Sequence, residues 1–263
     1  MIHVRNIDFG YTEKLLLREL SLHVKEGEVL TIVGPNGSGK STVLKQIAKL
    51  LNPSGGDITI DGKALHTYSA KEFSRTVATL SQHHHAPADF TVEDLIRYGR
   101  TPHLSWFERV GKEDQQIIDH VIDKLGLEAY RDRPVAMLSG GERQRAWIGM
   151  ALAQRPKVLL LDEPTTFLDI CHQLEILDIV KSLNETLGLT VIMVLHDLNQ
   201  ACQYSDRVCV MKDGQIIEVG CPNQVICPRI IEEVYQVHAD VELCNQTGCM
   251  HIRPLRVKKK EHA

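Results

Sequence analysis

The chain predicts an α/β fold: a mostly parallel sheet flanked by helices, with an antiparallel β subdomain at the N-terminus and an inserted helical subdomain. Three observations lead there. Short unbroken apolar runs at 29–33, 158–161 and 191–195 are what strands buried on both faces look like. Between the last two lies a pattern of helical period through Leu174, Leu177, Val180, Leu183 and Leu187, and strands alternating with helices imply a parallel sheet. From Pro87 to about Arg133 strand signals give way to helix: Ile117, Ile118, Val121, Ile122 and Leu125 keep one face, and Gly126 supplies the stop. We expect one domain over 1–263, made of a core at 1–85 and 139–220, a helical insertion at 86–138 and a C-terminal extension at 221–263.

The first strands are read at 2–9, where Ile2, Val4, Ile7 and Phe9 alternate in part, and at 20–24, with Gly27 turning the chain into the run at 29–33. Tyr11 stands in a polar turn between them, either as a surface residue or as a platform for a flat base. After that run comes Gly34-Pro35-Asn36-Gly37-Ser38-Gly39, and then Lys40-Ser41-Thr42 opens a helix carrying Val43, Leu44, Ile47 and Ala48. Glycine, four residues, then glycine-lysine-serine, between a strand and a helix, is the phosphate loop in full, the centre of a P-loop NTPase core. Glycines let successive backbone N–H groups turn inward on a polyphosphate, and the helix N-terminus adds its own unpaired N–H groups. Lys40 is placed to reach the terminal phosphates, and the Ser41 hydroxyl to ligate the magnesium that travels with the nucleotide.

Further along, 52–56 is a breaker, 57–60 a strand entering a turn at Asp61-Gly62, and 76–80 a buried strand that delivers Ser81, Gln82 and three histidines, 83 to 85. Adjacent histidines rarely converge on one ion, so we expect a polar loop and no required metal site. Residues 207–210 and 215–219 form a hairpin about Asp213-Gly214, and the basic tail from Arg253 is expected to be frayed.

The strand at 157–162 ends in Asp162-Glu163, at the sheet edge where open α/β sheets bind ligands. Asp162 can hold magnesium and Glu163 can polarise the water that attacks a γ-phosphate. His196 ends the next strand, positioned to sense that phosphate or simply to pack beside a helix capped by Asp197. Leu138-Ser139-Gly140-Gly141-Glu142 precedes an apolar helix and reads as a second anion-binding helix N-terminus. One chain with one phosphate loop has no evident need of it; two copies, each presenting it to the other's nucleotide, do.

Composition sets bounds. Lys and Arg total 30 against 34 for Asp and Glu, a formal net charge of −4, which argues against a nucleic-acid partner. No secretory signal is read at the start, and no apolar run approaches the ~20 residues of a spanning helix, so we expect a soluble intracellular chain. Seven cysteines, at 171, 202, 209, 221, 227, 244 and 249, lack Cys-x-x-Cys spacing and are expected to be reduced. Cys244 and Cys249 read as a metal or redox pair, or as ordinary turn and strand residues.

On these motifs the sequence resembles the ATP-binding subunit of an ABC transporter over about residues 1–255. The resemblance implies that Tyr11 stacks on adenine, that Gln82 touches magnesium and links to the helical insertion, and that Ser139, Gly140, Gly141 and Glu142 are the signature completing a partner's site. It gives Asp162 the magnesium, Glu163 the general-base role, Asp169 a place in the loop that follows, and His196 the part of the switch histidine. It implies ATP and Mg2+ as cofactors and a head-to-tail homodimer with two ATP molecules between phosphate loop and signature. It also implies integral-membrane permease subunits reached through the helical insertion, a substrate-binding protein beyond them, and a peripheral place on the cytoplasmic face of the cell membrane. Gly99-Arg100-Thr101-Pro102-His103, Thr165-Thr166-Phe167-Leu168-Asp169-Ile170 and the run 195–201 resemble the iron-siderophore, haem and cobalamin importer group. We expect an iron-siderophore cargo, with haem or cobalamin as alternatives. A soluble ABC ATPase acting on nucleic acid or ribosomes would usually carry a coiled-coil insertion or a second cassette, neither of which is read here, and a phosphate-loop kinase or switch protein would lack the signature.

Overall fold

Strand β1 (Ile2–Phe9) buries Ile2 and Val4, then Ile7 and Phe9. The alternation slips by one residue between Val4 and Ile7, where the register with its neighbour shifts and Asn6 takes a left-handed φ of 45°. A bulge there swings Ile7 and Phe9 back to the core face, which is why the sequence alternates only in part. The computed structural model describes residues 1–82, 84–105 and 110–258. The chain divides into two compact units, Met1–His66 together with everything from Ile192 onward, and Thr67–Val191.

In the first unit, β1 pairs antiparallel with β2 (Leu17–Val24) on one side. After β3 (Val29–Val33) and helix α1 (Lys40–Ile47), it pairs with β4 (Gly55–Ile60) on the other, and β4 turns into the short β5 (Lys63–Ala64). The chain then builds the second unit from α2 (Ala70–Thr76), β6 (Val77–Leu80), α3 (Val92–Tyr98), α4 (Lys112–Lys124), α5 (Gly140–Ala153), β7 (Val158–Asp162) and α6 (Ile170–Leu187). Here β6 runs parallel to β7, from Val77 opposite Val158 to Leu80 opposite Leu161. The unit boundary falls inside β8 (Thr190–Val194), through which the chain returns to the first unit. There it adds α7 (Leu198–Tyr204), β9 (Arg207–Lys212), β10 (Gln215–Gly220), α8 (Pro222–Val225), α9 (Pro228–Tyr235), β11 (Val237–Leu243) and β12 (Met250–Val257). Strands β10, β9, β3 and β8 lie side by side in that order, with β3 parallel to β9.

All five residues of each of β3, β7 and β8 are buried, as their unbroken apolar runs require. Each fully buried Val, Leu or Ile contributes about 1.5–3 kcal/mol relative to exposure. In the first unit the buried β3 and β8 lead into the loops at 34–39 and 195–197, and in the second the buried β7 leads into 163–169.

The helical stretch is secured at its base. Helix α3 starts with a capping box between Thr91 and Asp94, and α4 buries Ile117, Ile118, Val121 and Ile122 before Gly126 turns left-handed at φ 62°. After α3, Gly99 runs so close to α5 that a Cβ would lie 2.1 Å from the Met150 carbonyl oxygen. Arg100, 5% exposed, reaches the Asp114 carboxylate at 2.9 Å and the Ala153 carbonyl oxygen at 2.6 Å. The His103 Nε2 lies 2.7 Å from the Gln154 carbonyl oxygen. Residues 99–103, which in sequence resemble an importer group, are thus a joint clamping the end of α3 against α4 and the C-terminal end of α5.

The structure departs from the sequence reading in several places. Thr76 closes α2, so the strand begins at Val77. The tail from Arg253 is not frayed through Val257: it is the second half of β12, paired with β11. That hairpin was not read at all, because His238, Asp240 and Glu242 occupy alternate positions of β11 and Pro254 interrupts β12.

Candidate nucleotide site

The first unit carries the phosphate loop. Gly34 leaves β3 at φ 152°, with a Cβ there 2.1 Å from the Met211 carbonyl oxygen, so a side chain is excluded by both conformation and space. Gly39, left-handed at φ 98°, is the N-cap of α1; it offers no side-chain cap, and the first turn holds no acidic residue. The first four N–H groups of a helix have no acceptor along the helix itself, and no acid in this first turn supplies one. Lys40 is buried, and its Nζ donates to the carbonyl oxygens of Gly34 at 2.8 Å and Pro35 at 3.0 Å, curling the side chain back over the loop. The Ser38 Oγ is buried without a hydrogen-bond partner. A cradle of backbone N–H donors, an ammonium folded along its rim and an orphaned hydroxyl fits a polyphosphate. Ser41 and Thr42 follow in the first turn of α1.

Tyr11 and His196 belong to the same unit. The Tyr11 ring, 63% exposed, stands edge-on to Phe9 at 5.0 Å, and its hydroxyl lies 3.4 Å from the Thr42 Oγ1. One face is thus left open beside the start of α1, as a base-stacking platform needs. Leu195 at the end of β8 donates its N–H to the Ile32 carbonyl oxygen at 3.3 Å, so His196 leaves the sheet next to the strand that feeds the phosphate loop. Asp197 caps α7, accepting from the N–H groups of Asn199 and Gln200, and His196 itself is exposed.

The second unit carries the carboxylates. The β6–β7 register sets Gln82 opposite Glu163, and the Gln82 Nε2 donates to the Glu163 Oε2 at 2.8 Å. The Thr166 Oγ1 donates to the same oxygen at 3.1 Å. Asp162 is buried at the end of β7, and Glu163 takes a left-handed φ of 55°. Such a conformation costs a non-glycine residue about 1–3 kcal/mol and is found where function over-determines the backbone. The Gln82 amide oxygen and the Asp162 carboxylate of this unit are hard oxygen donors of the kind that Mg2+ prefers.

Ser139–Glu142 is in the second unit as well. Ser139 is the N-cap of α5 in a full capping box: its N–H donates to the Glu142 Oε2 at 2.8 Å, and its Oγ accepts from the Glu142 N–H at 3.4 Å. A hydrogen bond from Tyr130, followed by the Ser139 N–H, holds the Glu142 carboxyl well down, at a pKa of about 2. Gly141 is a packing glycine, since a Cβ would lie 2.0 Å from the imidazole of His172. That imidazole is gripped by Asp169, whose Oδ1 lies 2.8 Å from His172 Nδ1 and also accepts the His172 N–H at 3.0 Å to cap α6. The sequence reading missed His172, and it missed Thr166 as a partner of Glu163. The first sits one helical turn beyond Asp169, where an N-cap carboxylate meets its own third residue, and this spacing is the signal that could have found it. Of the three histidines, His83 lies outside the described residues, and the His84 ring rests 4.8 Å from that of Trp147.

A family model described as ABC transporter matches residues 17–166. The chain is 49% identical over 260 residues to the petrobactin import ATP-binding protein FpuC of Bacillus anthracis, covering 99% of this chain and 95% of that one. It is 41% identical over 240 residues to the iron(3+)-hydroxamate import ATP-binding protein FhuC of Bacillus subtilis (strain 168), covering 91% and 89%. Among solved structures it superposes with a TM-score of 0.72 and 29% identity on the dimeric post-hydrolysis state of the ATP-binding cassette MJ0796 bound to ADP and Pi, over 84% of this chain and 98% of that one. With the phosphate loop, the paired carboxylates and the capped glycine pair all in place, the chain belongs to the ABC transporter family, as one of its ATP-binding subunits.

Proposed function

We propose that this chain is the ATP-hydrolysing subunit of an importer for ferric siderophores, working as a head-to-tail dimer beneath separate membrane subunits. The observation that carries the chemistry is the Glu163 carboxylate, set in a strained backbone and held by Gln82 and Thr166. In this reading the backbone N–H groups of the phosphate loop, with Lys40, bind the β- and γ-phosphates of ATP, and Tyr11 takes the adenine. Gly34, Pro35, Asn36, Gly37, Ser38 and Gly39 form the cradle, and Thr42 supports Tyr11. Ser41, Asp162 and Gln82 hold Mg2+, which when bound offsets charge on the phosphate oxygens. Glu163 accepts the proton of the attacking water, and His196 stabilises the γ-phosphate.

Ser139, Gly140, Gly141 and Glu142 are proposed to close over the nucleotide of a second copy. Phe167 and Ile170 stand exposed on either side of Leu168 and Asp169, which suits burial against that copy. In division of labour, the helical stretch at 86–138 is the segment that meets the permease, and 221–263 is a C-terminal extension. Among the described residues no helix is long and apolar enough to cross a membrane, and in this reading the permease, and a substrate-binding protein acting through it, are other chains of the assembly. The chain would then lie on the cytoplasmic face of the membrane. A siderophore cargo is supported by the names of the two relatives quoted above.

Deleting the gene in a strain without redundant importer ATPases, then measuring uptake of labelled ferric siderophore, haem and cobalamin, tests the cargo. Siderophore uptake should fall to background with the others intact. Unchanged siderophore uptake and loss of haem or cobalamin uptake would move the cargo and leave the ATPase reading standing.

A further inference from the structure

The β11–β12 hairpin ends in a six-residue tip, Cys244-Asn245-Gln246-Thr247-Gly248-Cys249, that the transport reading does not use. The two cysteines follow the Leu243–Met250 pair and face each other across the hairpin: Cys244 donates its N–H to the Cys249 carbonyl oxygen at 2.8 Å, and Gly248 donates to the Cys244 carbonyl oxygen at 2.8 Å. Opposed residues of an antiparallel pair have Cα atoms about 4.5–5.5 Å apart, inside the range a disulfide spans. Both side chains are half-buried, and so within reach of a small oxidant.

The tip is held from outside. Asn223 donates its Nδ2 to the Gly248 carbonyl oxygen at 3.3 Å. Asn199, in the first turn of α7, accepts the Ile252 N–H at 2.7 Å and donates to the Ile252 carbonyl oxygen at 3.3 Å. Little ordering is left to do when the two sulfurs join, and such preorganisation is what accelerates an intramolecular step.

We propose that Cys244 and Cys249 are a reversible dithiol–disulfide modification site, oxidised by small hydroperoxides. The Cys244 thiolate attacks one oxygen of the hydroperoxide; the O–O bond breaks, and the leaving oxygen takes a proton as alcohol or, from hydrogen peroxide, as water. Cys244 is left as a sulfenic acid. The Cys249 thiol gives up its proton and attacks that sulfur, and the hydroxyl departs with the proton as water. Two thiols and one hydroperoxide become one disulfide, one alcohol or water, and one further water, and a dithiol reductant returns the pair.

The chemistry of the tip assigns the roles. Hydrogen bonds from the Thr247 hydroxyl, then from the N–H groups of Thr247 and Gln246, draw the Cys244 thiol below a cysteine's ordinary pKa, which enriches the attacking thiolate. Three of the other thiols contrast with it. Burial pushes Cys202 and Cys209 up to about 12, and the Glu175 charge raises Cys171. Cys249 donates its Sγ hydrogen to the Thr247 carbonyl oxygen at 3.4 Å, and resolves the sulfenic acid.

The test treats the full-length reduced protein with a stoichiometric amount of hydrogen peroxide, then blocks remaining thiols with an alkylating agent and maps them by mass. The peptide containing both cysteines should become two hydrogens lighter, roughly tenfold or more faster than Cys202 or Cys209 loses alkylation, and dithiothreitol should reverse it. In Cys249→Ser, Cys244 should stop at a sulfenic acid that dimedone traps; in Cys244→Ser, Cys249 should stay a thiol. Alkylatable Cys244 and Cys249 after Cys171 has been oxidised, or a bridge from Cys249 to Cys202 or Cys221, would overturn the proposal.

Discussion

Helices α1 and α5 both open on glycine, and they open differently. Helix α1 starts from Gly39 with no side-chain cap and no acid in its first turn, while α5 starts from Ser139 inside a capping box closed by Glu142. In α1 the stabilisation a side-chain cap would give is forgone, about 1 kcal/mol, as a helix start proposed to receive a polyanion requires. In α5 the N–H groups of Ser139 and Glu142 are satisfied by the protein, and the glycines serve close packing: Gly141 against His172, Gly140 with a Cβ position 3.0 Å from Leu168. The shared glycine signal therefore hides two local structures, one an uncapped helix start and the other a capped, closely packed one.

Substitutions can break that contrast. The largest effect is expected at Lys40→Ala, which should remove measurable hydrolysis and weaken ATP binding to the isolated chain, measured with a fluorescent nucleotide; binding equal to wild type would deny the α1 cradle its role. Glu163→Gln should slow hydrolysis by roughly 10²- to 10⁴-fold with binding kept. That variant should accumulate an ATP-dependent dimer in size-exclusion chromatography, and near-normal turnover would take the base role from it. Arg100→Met leaves Asp114 without its guanidinium partner and should cost about 3–5 kcal/mol in denaturant unfolding, without shifting nucleotide affinity.

Gly141→Ala forces a methyl into the His172 ring and should destabilise by about 1–3 kcal/mol. ATP binding by the isolated chain should survive it while turnover of the dimer falls; equal loss of affinity in this variant and in Lys40→Ala would erase the distinction between the two helix starts. Ser139→Ala should cost only about 0.5–2 kcal/mol. The smallest effect is a pH effect. Because the Glu142 carboxyl is held at about 2, below its unfolded value near 4.5, its stabilisation of α5 is complete above that unfolded value and is lost as pH falls through the folded one. Acid melting curves of wild type and Glu142→Gln should converge at the acid end; parallel curves would mean that the box contributes nothing.

Much of this was legible because the chemistry is local. The phosphate loop, the strands β3, β7 and β8 and the face of α4 announce themselves through spacing and unbroken apolar runs. Long-range partners were not legible: Gln82 meets Glu163 through the β6–β7 register, and Arg100 meets Ala153 across a joint whose residues look like an ordinary loop. Helix α2 went unread although Ser69 and Glu72 stand three apart, as an N-cap and its acidic third residue should, since none of its seven residues is buried and no apolar face marks it. The hairpin β11–β12 escaped because only Ala239 and Ile252 are buried along it, too few for an alternating pattern to show.

The left-handed backbone at Glu163 has a consequence for anyone who evolves this chain in the laboratory. Glycine adopts that conformation without strain, so replacing the glutamate would relax the loop at the same stroke that removes the proposed proton acceptor. A selection for heat resistance alone would then favour glycine at 163 and enrich survivors that withstand heat and turn over no nucleotide, which makes this position a place where durability and work are chosen against each other.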